Sequence, residues 1–91
     1  MEDHPDLERL CPACGFELWF KPWTEVSGAA DEICPSCGIQ FGYDDAMPTT
    51  RHDVYRRWRE QWVLEGMPWF SGQRRPASWD PGVQLARVEG T

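Results

Sequence analysis

Four cysteines arranged as two copies of one short pattern constrain this chain more than any other feature of its sequence. The pattern is Cys-Pro-x-Cys-Gly, and it occupies residues 11–15 and again residues 34–38. Two cysteines separated by two residues can present both sulfurs from one tight turn, so two such turns can enclose a single tetrahedral metal ion. The sequence therefore predicts one metal site, whose four thiolate ligands are Cys11, Cys14, Cys34 and Cys37.

The prolines and glycines of the two copies suit the turn that such a site requires. Pro12 and Pro35 fix the backbone φ angle and lack an N–H group at a position where no donor is needed. Gly15 and Gly38 can adopt a positive φ directly after the second cysteine. We therefore expect the chain to fold back at these glycines and to direct N–H groups at the sulfurs, where such bonds orient the ligands.

Disulfide bonds are the alternative to a metal ion. Closing a four-residue loop with a disulfide stabilises a fold by about 2 kcal/mol, whereas a structural zinc site contributes roughly 10–16 kcal/mol at neutral pH. Residues 1–6 show no cationic segment followed by an apolar run, so neither a signal peptide nor a membrane span is predicted. We expect a cytoplasmic, reducing compartment and therefore Zn²⁺ rather than disulfides.

Length and composition favour one small domain supported by a metal. A chain of 91 residues lies in the range where a hydrophobic core alone gives marginal stability. Its net charge is −6, and residues 1–50 hold ten acidic and two basic residues, against five and seven in residues 51–91. So acidic a chain is a poor general binder of nucleic acid, which argues against that class of partner.

We expect a small α+β fold that forms a single domain of four segments. These are a flexible tail at residues 1–8, a metal-binding ribbon at 9–46, a helix at 49–66, and an extended segment at 67–91 that ends in a short helix or an edge strand. Aromatic and branched residues predict short strands at 16–20 and 39–43, and small polar residues predict a loop at 23–32. This is the plan of a zinc ribbon, or rubredoxin-like fold. Its two cysteine knuckles and its β-hairpin or three-stranded sheet would pack against a C-terminal amphipathic helix.

The most periodic segment runs from about Arg51 to Glu65 and predicts the helix. Thr50 is the expected N-cap, and Gly66 followed by Pro68 is a stop signal. The apolar residues of one helical face are Val54, Tyr55, Trp58 and Trp62. We expect this face to cover the ribbon, and a partly exposed tryptophan face that binds a partner protein is the alternative.

Three other polar groups are expected to be ordinary surface features. His4 has no place in a shell that four cysteines already fill, and His52 has no nucleophile beside it in sequence. Asp44 and Asp45 lack a third acidic partner, so a solvated turn is expected there.

The C-terminal segment offers two weaker signals. Residues 67–70 are apolar and predict an extended strip over the core, and Arg74 and Arg75 predict a loop that aids solubility. Asp80 followed by Pro81 resembles an N-cap with proline at the first helical position. The sequence does not decide between a short helix through Val88 and an edge strand.

The run from Cys11 to Ala46 resembles the small bacterial cysteine-rich proteins of the CPCC type, which are regarded as zinc-ribbon-like. Residues 55–59 and 65–69 are similar to the helical tails of proteins of the same kind. The resemblance implies four metal ligands at Cys11, Cys14, Cys34 and Cys37. Ala13 stands where the CPCC type has a further cysteine.

The paired turns also resemble rubredoxin, which implies one redox-active iron and electron transfer. The interval between the two pairs, 19 residues from Gly15 to Ile33, is shorter than that resemblance requires.

Three functions follow from these features. The first is a zinc-binding protein with a structural four-cysteine site that interacts with a protein partner. The second is a rubredoxin-like iron electron carrier, and the third is a zinc ribbon associated with nucleic acid. The support for the third is a set of arginines, namely Arg51, Arg56, Arg57, Arg59, Arg74 and Arg75. No nucleophile, base and orienting group can be assembled from the sequence, so no enzyme is predicted.

Overall fold

The structure is a computed structural model that describes residues 6–88 of the chain. Its elements are a 3₁₀ turn at Leu7–Arg9, strands β1 (Trp23–Thr24) and β2 (Gly28–Ala29), and helices α1 (Arg51–Leu64) and α2 (Pro81–Ala86). The two strands pair antiparallel, with Trp23 opposite Ala29. The expected α+β class is therefore confirmed. Within residues 6–88, no helix has both the length and the apolar character that a membrane span requires.

The sheet differs from the prediction in its position along the chain. The segments 16–20 and 39–43 form no strand, and each contributes only one isolated bridge, Leu10 with Glu17 and Ile33 with Gln40. The sheet lies in residues 23–32, where a loop was expected, and in the described part of the chain it is the β-hairpin rather than the three-stranded alternative. The two predicted segments form no strand because their backbone groups bond to the residues that precede the same cysteine turn. The paired stretch on each side of the turn is then too short to continue as a β-sheet.

Each cysteine turn is closed by the same set of backbone hydrogen bonds. We call residues 9–18 cysteine loop 1 and residues 32–41 cysteine loop 2. Equivalent positions in the two loops lie 23 residues apart. The matching bonds are Cys11 N–H to Phe16 O (2.8 Å) and Leu18 N–H to Arg9 O (2.9 Å) in loop 1, and Cys34 N–H to Ile39 O (2.9 Å) and Phe41 N–H to Glu32 O (3.1 Å) in loop 2. Two short stretches with the same pattern therefore fold into the same local structure.

The core lies around these two loops. Leu18, Ile39 and Phe41 are the fully buried apolar side chains that follow the cysteine turns. Helix α1 adds Tyr55 and Trp62 to the same cluster. The C-terminal segment adds Leu85 and Val88. Helices and loops thus share one core rather than forming separate layers.

Helix α1 begins and ends where its sequence predicts. Gly66 has a φ of +91°, and the bonds Gly66 N–H to Val63 O (3.0 Å) and Met67 N–H to Trp62 O (2.9 Å) close the last turn in a Schellman motif. Thr50 is the N-cap residue, as predicted, but its side chain makes no capping hydrogen bond. The predicted face is confirmed, because Tyr55 and Trp62 are buried and the other two members are half-buried.

Near each end of the described chain, an aspartate side chain caps a short helical turn. The Asp80 carboxylate accepts from the N–H groups of Gly82 (3.0 Å) and Val83 (3.2 Å), which makes residues 81–86 a helix rather than an edge strand. Asp6 accepts from Glu8 N–H (3.1 Å) and caps a 3₁₀ turn where a tail was expected. The rest of that predicted tail, including His4, lies outside the described residues.

Candidate metal centre

The four cysteine sulfurs converge on one point between the two loops. Their Sγ atoms all lie within 4.8 Å of one another. The closest pairs each join loop 1 to loop 2, at 3.8 Å for Cys11 with Cys37 and 3.7 Å for Cys14 with Cys34. All four cysteines are free thiols. The alternative of disulfide bonds, in which sulfurs are about 2.05 Å apart, is therefore not what the structure shows.

The sulfur cluster has the dimensions of a tetrahedral thiolate site. A zinc ion with four sulfurs at about 2.3 Å has sulfur–sulfur edges of about 3.8 Å, and the two closest pairs match that edge. Cys11, Cys14 and Cys34 are fully buried and Cys37 is 8% exposed. Four soft donors in a dry cavity of this size fit a tetrahedral metal ion.

Burial and the neighbouring thiols shift the pKa values of Cys11, Cys34 and Cys37. Burial, followed by hydrogen bonds to the other three thiols, raises the pKa of Cys11 well above its ordinary value. Burial also acts to raise the pKa of Cys34, but hydrogen bonds from the other thiols outweigh it and lower that pKa well below its ordinary value. The cluster therefore favours a negative charge at Cys34, and a bound divalent cation would favour loss of the protons of Cys11 and Cys37, whose pKa values are raised.

Both glycines of the cysteine turns adopt the positive φ that was predicted, +84° for Gly15 and +85° for Gly38. Their N–H groups donate to the carbonyl oxygens of Cys11 (2.8 Å) and Cys34 (2.9 Å). The expected bond to sulfur is made in loop 2 by the backbone of Cys37, which donates to the Cys34 sulfur. The lack of a side chain also matters. A Cβ on Gly15 would lie 1.9 Å from the Gln84 carbonyl oxygen, so α2 can approach loop 1 only at a glycine.

Loop 1 is covered by two guanidinium groups. Arg59 of α1 donates from Nε to Ala13 O (2.8 Å) and from Nη2 to Pro12 O (2.9 Å). Arg87, which follows α2, donates from Nη1 to Gly15 O (3.0 Å). Both helices are therefore fastened to the backbone beside the sulfurs, and each brings a positive charge to a centre that four thiolates make negative.

Loop 2 is covered by neutral groups. The Phe70 N–H donates to the carbonyl oxygens of Pro35 and Ser36, both at 3.1 Å. The Trp58 indole donates to Cys37 O (3.0 Å), and the Gln84 amide donates to Ser36 Oγ (2.8 Å). Helix α1, the segment after it and α2 thus close the second turn as they close the first.

Asp45 is buried, which corrects the prediction of a solvated turn. Its side chain has no exposed surface, and its carboxylate accepts from Trp23 Nε1 (2.8 Å), Gly42 N–H (2.6 Å) and Tyr55 Oη (2.5 Å). Its neighbour Asp44 accepts from the Gln40 N–H (2.8 Å). Two of Asp45's three partners are distant in sequence, so no local pattern could have predicted its burial.

The remaining predicted surface groups are not brought to the sulfur cluster. His52 is exposed on α1, and Arg74 and Arg75 are exposed in the loop before α2. Arg51 is used within the fold, because it lies 3.8 Å over the Trp23 ring and donates to Asp45 O at 2.9 Å. The arginines that suggested nucleic acid therefore do not form one free basic patch.

The sequence analysis missed the groups that cover the two loops. Arg59 is 46 residues from Ala13 along the chain, and Gln84 is 48 residues from Ser36. Nothing near these residues in sequence marks them as partners of the cysteine turns. The one available signal was the doubled pattern itself, because each copy leaves several turn carbonyls that require donors from elsewhere in the fold.

Comparison with known proteins adds no relative to this picture: no protein-family model, no curated protein and no solved structure matches the chain.

Proposed function

We propose that this protein binds one zinc ion through Cys11, Cys14, Cys34 and Cys37 in a structural site of the zinc-ribbon type, and that it serves as a protein-interaction module. The observation that carries the proposal is the arrangement of four buried sulfurs whose closest pairs, at 3.7 and 3.8 Å, have the spacing of a tetrahedral site. Zinc is the ion that four cysteines at this spacing most often hold in reducing compartments.

A structural role is supported by the way the site is closed. Catalytic zinc keeps one coordination position for water or substrate, whereas four protein ligands fill the shell. Here the ligands are buried and the turn backbone is covered on both sides. The ion would hold the two loops together, and no catalytic step is assigned to it.

The interaction role is supported by large apolar side chains at the surface. Trp19 is 64% exposed, Phe70 is 60% exposed and Leu64 is 81% exposed. In a chain of this size, such exposed groups are contact points for other proteins. On the tryptophan face of α1, Trp58 is partly exposed and lines one groove together with Phe70.

An iron electron carrier is the second candidate, because the same four thiolates can hold iron. The observation that favours it is that Cys37 is 8% exposed while the other ligands are fully buried, so one sulfur offers a path to solvent. The nucleic-acid alternative has less support, since Arg51 and Arg59 are used within the fold. The resemblance to the CPCC type stays a prediction.

Metal analysis of protein purified without added metal tests the proposal. We expect one zinc per chain and a colourless solution, and we expect the metal to be absent from a variant in which all four cysteines are serine. One iron per chain with a visible thiolate-to-metal absorption band would establish the second candidate instead. Protein that is folded and holds no metal would reject both.

A further inference from the structure

A groove of about 640 Å³ lies where residues of both cysteine loops meet the segment that follows α1. Aromatic side chains supply much of its wall, namely Phe16, Trp19, Trp69 and Phe70. Trp19 is 64% exposed and Phe70 is 60% exposed, so both rings present apolar surface to solvent. Exposed aromatic surface of this kind marks a place where another molecule binds.

Contacts within the fold hold the rings of the groove in place. The Trp69 ring makes edge-to-face contacts with Phe16, at 5.4 Å between centroids, and with Trp79, at 5.3 Å. The Phe70 ring packs on Gly38, where an added Cβ would lie 2.5 Å from a ring carbon. A wall that is already ordered loses little conformational entropy when a ligand binds to it.

The backbone of Ile33, which lines the groove, has unused hydrogen-bonding groups. Ile33 faces Gln40 across loop 2, and the hydrogen bonds on either side of this pair are donated by Cys34 and Phe41. In such a pair, the N–H and C=O groups of the two facing residues point away from each other. Those of Ile33 therefore point outward, and within residues 6–88 neither makes a hydrogen bond. This short segment is an open strand edge.

The groove also carries negative charge that the fold does not neutralise. Asp31 and Glu32 directly precede Ile33, both line the groove, and both are exposed. Neither makes an ion pair in the described part of the chain. Arg74 is the one basic residue among the described lining residues. Because residues 1–50 hold ten acidic and two basic residues, a cationic group is favoured beside Asp31 and Glu32.

We propose that this groove binds an extended peptide segment of a partner protein, and that the segment carries a lysine or arginine. The N–H and C=O of Ile33 bond to the backbone of one peptide residue, as in strand addition to a sheet edge. Apolar peptide side chains lie against Trp19 and Phe70, and the basic side chain lies beside Asp31 and Glu32. This names the kind of partner for the interaction role proposed above, on which it rests.

Selection of a displayed random-peptide library on the immobilised, zinc-loaded full chain tests the proposal. We expect the enriched peptides to share a lysine or arginine and to carry apolar residues at alternate positions, because one face of a strand would lie on the protein. A synthetic peptide of the most enriched sequence is then the probe for binding. It should slow the hydrogen exchange of the Ile33 amide, which has no hydrogen bond in the free protein.

Substitutions test the charge and the aromatic contact separately. Glu32→Lys should weaken binding of the probe peptide about fivefold or more, because it replaces an attractive contact by a repulsive one. Trp19→Ala should weaken it about tenfold, since it removes an exposed aromatic contact. Glu25→Lys is the matched control for charge, because Glu25 is exposed and does not line the groove. It should leave the affinity within about twofold of the original value.

The proposal is overturned if the zinc-loaded protein enriches no peptide, or if the enriched peptides lack a basic residue. It is also overturned if Glu25→Lys acts as strongly as Glu32→Lys, or if the probe peptide leaves the exchange of the Ile33 amide unchanged. Protein that contains no zinc in the metal analysis would instead reject the metal site, so the two failures are distinguishable.

Discussion

Asp45 places a carboxylate in the core, where an unpaired charge would cost several kcal/mol. Three donors surround it instead, from the indole of Trp23, the backbone of Gly42 and the hydroxyl of Tyr55. These donors belong to β1, to the turn after loop 2 and to α1. One buried acceptor therefore ties together three parts of the chain that share no secondary-structure element.

Removal of one of these donors should be costly. Tyr55→Phe deletes the hydroxyl that lies 2.5 Å from Asp45 Oδ2, and we expect the free energy of unfolding to fall by about 1–3 kcal/mol. Urea titration of the metal-loaded protein at neutral pH measures the loss. Tyr43→Phe is the control, because the Tyr43 side chain is 76% exposed and its hydroxyl has no comparable partner in the described part of the chain. Equal effects of the two changes would contradict the assigned role of Tyr55.

The same hydroxyl predicts how stability changes in alkaline solution. Burial, and then the hydrogen bond to Asp45, raise the pKa of Tyr55 above its ordinary value of about 10. The folded state therefore holds this proton more tightly than the unfolded state, so its contribution is full below pH ~10 and declines as the pH rises further. The stability difference between wild type and Tyr55→Phe should therefore stay constant up to pH ~10 and shrink as the pH rises above that value. A constant difference would show that the proton is not held this way.

Glycines with positive φ divide into two kinds, and substitution distinguishes them. Gly15→Ala would place a Cβ 1.9 Å from the Gln84 carbonyl oxygen, so we expect a loss of more than about 3 kcal/mol and the detachment of α2. Gly66 has a similar φ of +91° but open space around it, so Gly66→Ala should cost only about 1 kcal/mol. Thermal unfolding of the two variants measures both values, and similar costs would mean that backbone conformation alone requires glycine.

Among the secondary-structure elements, the two helices depend on their N-caps to different extents. The Asp80 side chain accepts two backbone hydrogen bonds at the start of α2, whereas the Thr50 side chain accepts none at the start of α1. Asp80→Ala should therefore destabilise the protein by about 1 kcal/mol, and Thr50→Ala by less than about 0.5 kcal/mol. Because α2 supplies Gln84 to loop 2, Asp80→Ala should also release zinc to a chelator faster. A larger effect from Thr50→Ala would show that α1 is capped in another way.

Elements defined by local rules could be predicted from the sequence, and those defined by distant contacts could not. The spacing of aromatic residues located α1, and Gly66 located its end, because helix periodicity and the Schellman motif involve only near neighbours. The segments 16–20 and 39–43 have the composition of strands, but in residues 6–88 neither of them has a neighbouring strand to pair with. Strand-forming residues become a strand only when tertiary structure supplies a partner.

In the molecule as a whole, the cysteine loops connect the other elements. Within residues 6–88, only the backbones of β1 and β2 lie close together, and α1 contacts β1 through the Arg51 guanidinium, 3.8 Å from the centre of the Trp23 ring. Helix α1 reaches loop 1 through Arg59, and α2 reaches loop 2 through Gln84. The helices are therefore held in place by the loops. The proposed metal ion would hold the two loops together.

Metal removal should consequently unfold the whole domain rather than the loops alone. We expect a chelator such as EDTA to abolish near-ultraviolet circular dichroism and to expose the tryptophans of α1, and we expect added Zn²⁺ to reverse both changes. Protons compete for the thiolates, so zinc retention should also fall as the pH falls. A chelated protein that kept α1 helical and its tryptophans buried would contradict this account.

The candidate site was more predictable than the fold around it. Each cysteine pair and its glycine lie within five residues, so spacing alone located the ligands. That the two pairs meet, and how they are covered, depends on bonds that span 46 residues or more from Arg59 and Gln84. These hydrogen bonds form only in the complete fold, so the sequence near Arg59 and Gln84 does not predict them.

The groups that donate hydrogen bonds to the two cysteine loops differ in charge. Guanidinium groups lie over loop 1, whereas backbone amides and an indole lie over loop 2. The donors to the loop 1 carbonyls are therefore positively charged, and the donors to the loop 2 carbonyls are neutral. Cys37 also has the only solvent-exposed surface among the four ligands. An alkylating or oxidising reagent that approaches from solution will therefore attack the centre first at Cys37.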